Sequence, residues 1–185
     1  MAVARNLSTV LVAALLCAAV AASFLPGSSA AAADTSSLVS RTCRRTLQER
    51  LCLSILASDA RRSAAAATAQ ELAAVALDAV GDAARDAWKR AIKLTGRAPR
   101  GTPERDLLLQ CAVLYFDCRV ATGEAARKVE AAEYKDADDV VSVSQGYPEQ
   151  CDRQFYTRGL APPMEKTSRE MQDKLGVARE LIDLL

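Results

Sequence analysis

Apolar residues recur at helical spacing through most of the chain after residue 58. Asp59 to Leu94 is rich in Ala, Leu, Glu, Lys and Arg, which favour helices, and it contains no proline. Its apolar stripe advances in steps of three and four residues, through Leu72, Val75, Ala79, Ala83, Ala87 and Ala91. Glycines and prolines between residues 96 and 103 then break the pattern. The spacing therefore predicts one long helix followed by a loop.

The clearest pattern in the chain follows this loop. Thr102 is placed to cap a helix that has Pro103 at its first position and acidic residues in its first turn. Steps of four and three then define an apolar row, formed by Leu107, Cys111, Leu114, Cys118, Ala121 and Ala125. Such a row is typical of the buried seam of a helix bundle.

The C-terminal part of the chain predicts further helices. One extends from Tyr134 to about Ser144, and Gly146-Tyr147-Pro148 is expected to interrupt it. The last helix has an apolar stripe formed by Met171, Leu175, Ala178, Ile182 and Leu185. No stretch of four or more residues alternates as a strand does. We therefore expect an all-α fold, built as an up-down antiparallel bundle.

The N-terminal segment differs from the rest. Arg5 is the one charged residue of residues 1–33, and Val10 to Ala22 forms an apolar stretch. Small residues lie at the −3 and −1 positions of a cleavage site before Asp34. Polar residues interrupt the apolar run before it reaches the ~20 residues that a membrane span needs. The prediction is a secretory signal peptide, a mature domain over 34–185 without a membrane anchor, and a location outside the cell, with the vacuole as the alternative.

Composition narrows the possible functions. The chain has 24 Lys and Arg against 23 Asp and Glu, which is not the basic signature of a nucleic-acid-binding protein. It has no histidine, which excludes histidine-activated nucleophiles and histidine metal ligands. The acids Asp136, Asp138 and Asp139 are expected to favour a helix N-terminus rather than to form a catalytic pair or a cation site. We expect a binding protein that is not an enzyme and has no cofactor or metal.

The cysteines take on a structural meaning in a secreted protein, because disulfides persist there. Five remain after removal of the signal peptide: Cys43, Cys52, Cys111, Cys118 and Cys151. Cys111 and Cys118 would lie about 10 Å apart on a helix, too far for a disulfide, which needs less than about 7 Å. A small bridged hairpin between Cys43 and Cys52 would leave Cys151 to pair with Cys111 or Cys118. A zinc site would need four cysteines, and the chain has no C-x2-C pair.

Several of these residues carry a family resemblance. They are Cys43, Thr46, Cys52 and Leu56 near the N-terminus, Cys111 and Tyr115 in the clearest helix, and Tyr134, Ala137, Cys151 and Phe155 further on. In this order and spacing, the mature chain from Thr42 to Leu185 resembles the plant invertase and pectin methylesterase inhibitors.

The resemblance implies a four-helix bundle, up-down-up-down, with an N-terminal helical hairpin. It implies the disulfides Cys43–Cys52 and Cys111–Cys151, and it leaves Cys118, where the family usually has alanine, as an unpaired core thiol. The implied activity is inhibition of a carbohydrate-active enzyme by docking over its active-site cleft.

The target and the contact residues are further expectations. Some invertase inhibitors carry a Pro-Lys-Phe motif at the start of the fourth helix, where this chain reads Tyr134-Lys135-Asp136. Pectin methylesterase is therefore the expected target and acid invertase the alternative. Trp88 and Lys135 are the candidate contacts, although Trp88 is equally suited to the bundle core. The alternative of a different class is a helical carrier that holds an apolar ligand among the small side chains of Ala64–Ala91.

Overall fold

The structure of the protein is a computed structural model, which describes residues 38–185; the predicted signal peptide lies outside the described residues. Every regular element within them is a helix, which confirms the all-α prediction. Residues 38–43 are helical, and seven helices follow: α1 (Glu49–Ala57), α2 (Ala60–Ala65), α3 (Ala69–Arg97), α4 (Pro103–Glu130), α5 (Tyr134–Ser144), α6 (Gly146–Tyr156) and α7 (Glu165–Asp183). In this part of the chain no helix has both the length and the apolar character needed to cross a bilayer.

The prediction of a single helix over residues 59–94 is wrong near its N-terminal end, because the structure has two helices there. The chain leaves helical geometry after Ala65, and α3 starts afresh behind Thr68, which has extended backbone angles. The Thr68 hydroxyl accepts a hydrogen bond from the Glu71 N–H at 3.2 Å, and the Glu71 carboxylate accepts one from the Ala67 N–H at 2.6 Å. Together these bonds satisfy backbone donors that a new helix leaves free, much as a capping box does.

Helices α3 and α4 form an antiparallel pair. The Gln70 side chain at the start of α3 donates to the Val129 carbonyl at the end of α4, at 2.7 Å. At the other end, the Arg105 guanidinium donates to the Thr95 carbonyl at 2.8 Å. The two helices approach closely at Gly81, where an added Cβ would lie 3.0 Å from the Thr122 hydroxyl oxygen. The up-down-up-down order of the whole bundle stays a prediction.

The predicted apolar rows are mostly, but not entirely, buried. On α3, Ala79 and Ala83 are only half-buried, whereas Ala76, Val80 and Ala84 are buried. An alanine-rich helix offers small apolar residues on several faces, so its periodicity does not define one stripe. The row on α4 is confirmed except at Ala121, which is half-buried; its neighbour Thr122 takes the buried place.

The C-terminal helices follow the prediction with two corrections. Helix α5 has the predicted bounds, but the interruption is only Gln145, and α6 begins at Gly146. Pro148 is tolerated because it falls in the first turn of α6, where a helix does not need the missing N–H. Leu185, predicted on the buried stripe, lies beyond the end of α7 and is 37% exposed.

Two disulfides tie the helices together. Cys43 is bonded to Cys52, with Cα atoms 5.4 Å apart, which closes the helical hairpin made by residues 38–43 and α1. Cys111 of α4 is bonded to Cys151 of α6, with Cα atoms 4.9 Å apart. These are the two pairs that the family resemblance implies.

Candidate functional site

Helix α4 exposes a second apolar row on its outer side. Leu109, Val113, Phe116 and Val120 are 44%, 59%, 42% and 51% exposed, and they follow steps of four, three and four residues. This repeats the spacing of the buried row, shifted by two residues. Sequence reasoning missed the outer row, although its spacing was a signal that could have revealed it.

Two residues of α3 extend this row sideways. The Trp88 ring meets the Phe116 ring edge-to-face, with centroids 6.2 Å apart, and Ile92, one turn after Trp88, is 45% exposed. Trp88 itself is half-buried and packs against the core. We call these six residues, Trp88, Ile92, Leu109, Val113, Phe116 and Val120, the apolar strip. A contiguous apolar patch of this kind on a folded surface marks a binding site more often than scattered apolar residues do.

Acidic residues run beside the strip on α4. Asp106, Asp117 and Glu124 are separated by eleven and seven residues, which places them on one face of the helix. Within residues 38–185 none of the three takes part in an ion pair. We call them the acidic row. Their charges are available to a binding partner.

The acidic residues at the start of α5 behave differently. Asp138 pairs with Arg179 at 2.6 Å, Asp136 with Lys128 at 3.5 Å and Asp139 with Lys135 at 3.0 Å. Each carboxylate is thus engaged by its own cation, and the three do not converge on one point. Among the described residues no group of three potential metal-ligating side chains lies together.

The structure does not bring the two predicted contact residues together. Lys135 is highly exposed at the start of α5, beside Tyr134, whose hydroxyl donates to the Gln70 side chain at 3.1 Å. Trp88 lies eighteen residues beyond Gln70 on α3, which is about 27 Å along the helix. Trp88 belongs to the apolar strip, and Lys135 does not.

Cys118 occupies the buried row of α4 as a free thiol. Burial raises the pKa of this thiol to about 12. The nucleophilic form of a cysteine is the thiolate, so Cys118 is an inert core residue at neutral pH.

A buried hydrogen-bonded chain lies beside the long-range disulfide. The Tyr115 hydroxyl is 2.8 Å from the Ser168 hydroxyl, which donates to the Asp152 carboxylate at 2.9 Å. Burial raises the pKa of Asp152, and it also raises that of Tyr115. Because the chain joins α4, α6 and α7 next to Cys151, it holds these helices together at the same level as the disulfide.

A groove with a volume of about 810 Å³ lies between α3 and α7. Half-buried Ala79 and Ala83 lie in it, but ten of its lining residues are charged, five acidic and five basic. A carrier of apolar ligands needs a mostly apolar cavity, and this groove does not provide one.

Comparison with known proteins identifies the family. The model of the family described as "Plant invertase/pectin methylesterase inhibitor" matches residues 37–183. A comparison with curated proteins finds no match. The match spans the helical hairpin, both disulfides and the bundle helices on either side of the apolar strip. The chain belongs to the plant invertase/pectin methylesterase inhibitor family.

Proposed function

We propose that this protein is a secreted inhibitor of pectin methylesterase, which docks the apolar strip over the active-site cleft of its target. Family membership supports an inhibitor of pectin methylesterase or of invertase. The observation that carries the docking surface is the exposed row on α4 with Trp88 beside it. In this proposal the protein is not an enzyme, needs no cofactor and acts outside the cell after cleavage before Asp34.

A stiff surface suits this mode of inhibition. The disulfides Cys43–Cys52 and Cys111–Cys151 hold the helices in place before binding, so that little conformational entropy is lost when the complex forms. The edge-to-face contact with Phe116 also orients Trp88 in the free protein. Aromatic side chains that are already fixed in this way are frequent hot spots of interfaces.

The acidic row predicts that the target carries basic side chains near its active-site cleft. Asp106, Asp117 and Glu124 have no cationic partner among the described residues, so a target with basic side chains beside its cleft would pair with them. Such charges at the rim of an interface mainly accelerate association, and salt screens them. Inhibition should therefore weaken as ionic strength rises.

Acid invertase is the alternative target. Lys135 is exposed, as a contact residue must be, but it is flanked by Tyr134 and Asp136 instead of the proline and phenylalanine of the invertase-inhibitor motif. Lys135 is also held by Asp139 at 3.0 Å. The missing motif residues favour pectin methylesterase over invertase, whereas the exposed pair with Asp139 favours neither target.

The test is to mix the oxidised protein, residues 34–185, with a pectin methylesterase and, separately, with an acid invertase. We expect loss of the methylesterase activity alone. The double substitution Val113→Ser, Phe116→Ser should weaken inhibition at least tenfold without lowering the melting temperature. The matched control, Leu47→Ser with Val143→Ser, removes two exposed apolar side chains away from the strip and should inhibit normally. Inhibition of invertase alone would support the alternative, and inhibition of neither enzyme would overturn the proposal.

A further inference from the structure

A second surface feature lies between α3 and α4, at the end of the apolar strip that holds Val120. It is a groove of about 560 Å³, within the size range of ligand-binding sites. Its lining residues are Arg62, Leu77, Asp78, Gly81, Asp82, Arg119, Val120, Gly123 and Arg127. Both helices contribute a glycine to the lining: Gly81 allows the close approach of α3 to Thr122, and Gly123 leaves its own position without a side chain. An added Cβ at Gly123 would lie 3.9 Å from the Arg127 Nη1, so the guanidinium of Arg127 extends back over this glycine.

The charges in the groove do not cancel. The Asp78 carboxylate pairs with Arg62 at 2.6 Å, and the Asp82 carboxylate pairs with Arg85 at 2.8 Å. Arg119 and Arg127 are both exposed, and in the described part of the chain neither forms an ion pair. Two guanidinium groups on the same groove are therefore left for an external anion.

The spacing of these arginines indicates the shape of that anion. Arg119 and Arg127 are eight residues apart, which is about 12 Å along α4. The Arg127 guanidinium extends back to Gly123, four residues from Arg119, so both groups lie along one groove that a linear polymer with a carboxylate on each sugar ring can follow. The planar guanidinium group matches a carboxylate because it can donate two parallel hydrogen bonds to it.

We infer that this arginine groove binds a polyuronate, the de-esterified form of pectin. The identity of the polymer rests on the proposed function, because a pectin methylesterase converts neutral methyl esters into carboxylates. The inhibitor would then be retained on the polymer where its target has already acted. The groove borders the apolar strip only through Val120, so the two surfaces can be tested separately.

The experiment measures binding of the oxidised protein to polygalacturonate by affinity electrophoresis, with fully methyl-esterified pectin and a neutral galactan as comparisons. We expect binding to polygalacturonate alone, and weaker binding as salt increases. Arg119→Gln with Arg127→Gln should reduce the affinity at least tenfold. The matched control, Arg97→Gln with Arg100→Gln, removes the same charge at the α3–α4 loop and should bind as the unsubstituted protein does. Circular dichroism would verify that both variants are folded.

Three results would overturn the inference: no binding to polygalacturonate, equal binding to the esterified polymer, or equal losses in the two arginine variants. Failure of the proposed function gives a different result. If the unsubstituted protein inhibits neither enzyme but binds polygalacturonate through Arg119 and Arg127, the groove stands and the inhibitor proposal falls. If it inhibits a methylesterase and does not bind the polymer, the groove falls alone.

Discussion

Helix α4 has two apolar rows with identical spacing and opposite surroundings. The inner row contains Leu107, Cys111, Leu114 and Cys118, all buried, and one of its members is bonded to α6. The outer row contains Leu109, Val113, Phe116 and Val120, each more than 40% exposed. Both rows advance by four, three and four residues. Helical spacing therefore shows where an apolar face lies, but it does not show whether the partner of that face is in the same chain.

The two rows therefore have different roles in stability and binding. The inner row contributes to the stability of the fold through packing and through the Cys111–Cys151 bond. The outer row contributes little to stability, because it remains in contact with water, and it is available to a second protein. Substitutions in the inner row should lower stability, whereas substitutions in the outer row should lower binding.

The largest effect is expected from Cys111→Ala with Cys151→Ala. This bond closes a loop of 40 residues, and its loss should lower the free energy of unfolding by about 4 kcal/mol. Cys43→Ala with Cys52→Ala, which opens a loop of 9 residues, should cost about 3 kcal/mol. Urea unfolding followed by circular dichroism measures both. Cys118→Ala is the control in the same row and should cost about 1 kcal/mol; a loss as large as that of the double variant would contradict the assignment.

The next comparison uses two leucines that are two residues apart on α4. Leu107→Ala should lower the free energy of unfolding by about 3 kcal/mol, because Leu107 is 5% exposed and its loss leaves a cavity. Leu109→Ala should change it by less than about 0.5 kcal/mol, because Leu109 is 44% exposed. Chemical denaturation again gives both values. Equal losses would mean that the outer row is covered within the folded chain.

A smaller effect is expected on binding at the two predicted contact residues. Trp88→Ala should weaken inhibition of the target at least tenfold, equivalent to about 1.4 kcal/mol, because Trp88 lies in the apolar strip. Lys135→Ala should weaken it less than about threefold, because this exposed lysine lies on α5, outside the apolar strip. Inhibition constants measured with melting temperatures separate binding from folding. A larger loss of inhibition in Lys135→Ala than in Trp88→Ala would indicate that the docking surface lies on α5.

The smallest effect concerns the pH dependence of the hydrogen-bonded chain that joins Tyr115 of α4 to Asp152 of α6 through Ser168. The raised pKa of Asp152 means that the folded state favours the protonated carboxyl. Its contribution to stability is therefore complete below the unfolded-state pKa, near 3.9 on average, and is lost as the pH rises through the folded-state value. Asp152→Asn should flatten this decline and raise the melting temperature at neutral pH, while Ser168 keeps an acceptor. Thermal unfolding between about pH 3 and pH 7 tests this; identical slopes in the two proteins would refute it.

The sequence predicted the helices well where local chemistry marks their ends. Thr102 and Pro103 begin α4 as expected, and the bounds of α5 were correct. The prediction failed where the residues that mark a helix end are few, or where the composition is uniform along the chain. Thr68 starts a new helix inside an alanine-rich run that has no other break, and Ala79 and Ala83 lie on the predicted apolar stripe but line a groove.

The candidate site was only partly predictable. Residue type alone predicts Trp88 as a contact, but nothing in the sequence points to its neighbour Phe116, because the two rings meet across 28 positions of the chain. The arginine groove was not foreseen either. It requires that α3 and α4 pack closely side by side and that Asp78 and Asp82 pair with Arg62 and Arg85, so that Arg119 and Arg127 are left without an ion pair among the described residues.

The sequence by itself determined the helical class, the start of α4, the bounds of α5 and the cysteines available for bonding, because caps, breaks and apolar spacing act over a few residues. The tertiary structure decided which of the two rows on α4 is buried. It also decided the partner of Cys151, because packing of α6 against α4 brings Cys151 next to Cys111 and not next to Cys118. It further decided which charged side chains, such as Arg119 and Arg127, lie close together without an ion pair among the described residues. These outcomes depend on which helix packs against which face, and packing of α4 against α3, α5 and α6 buries the inner row and leaves the outer row to solvent.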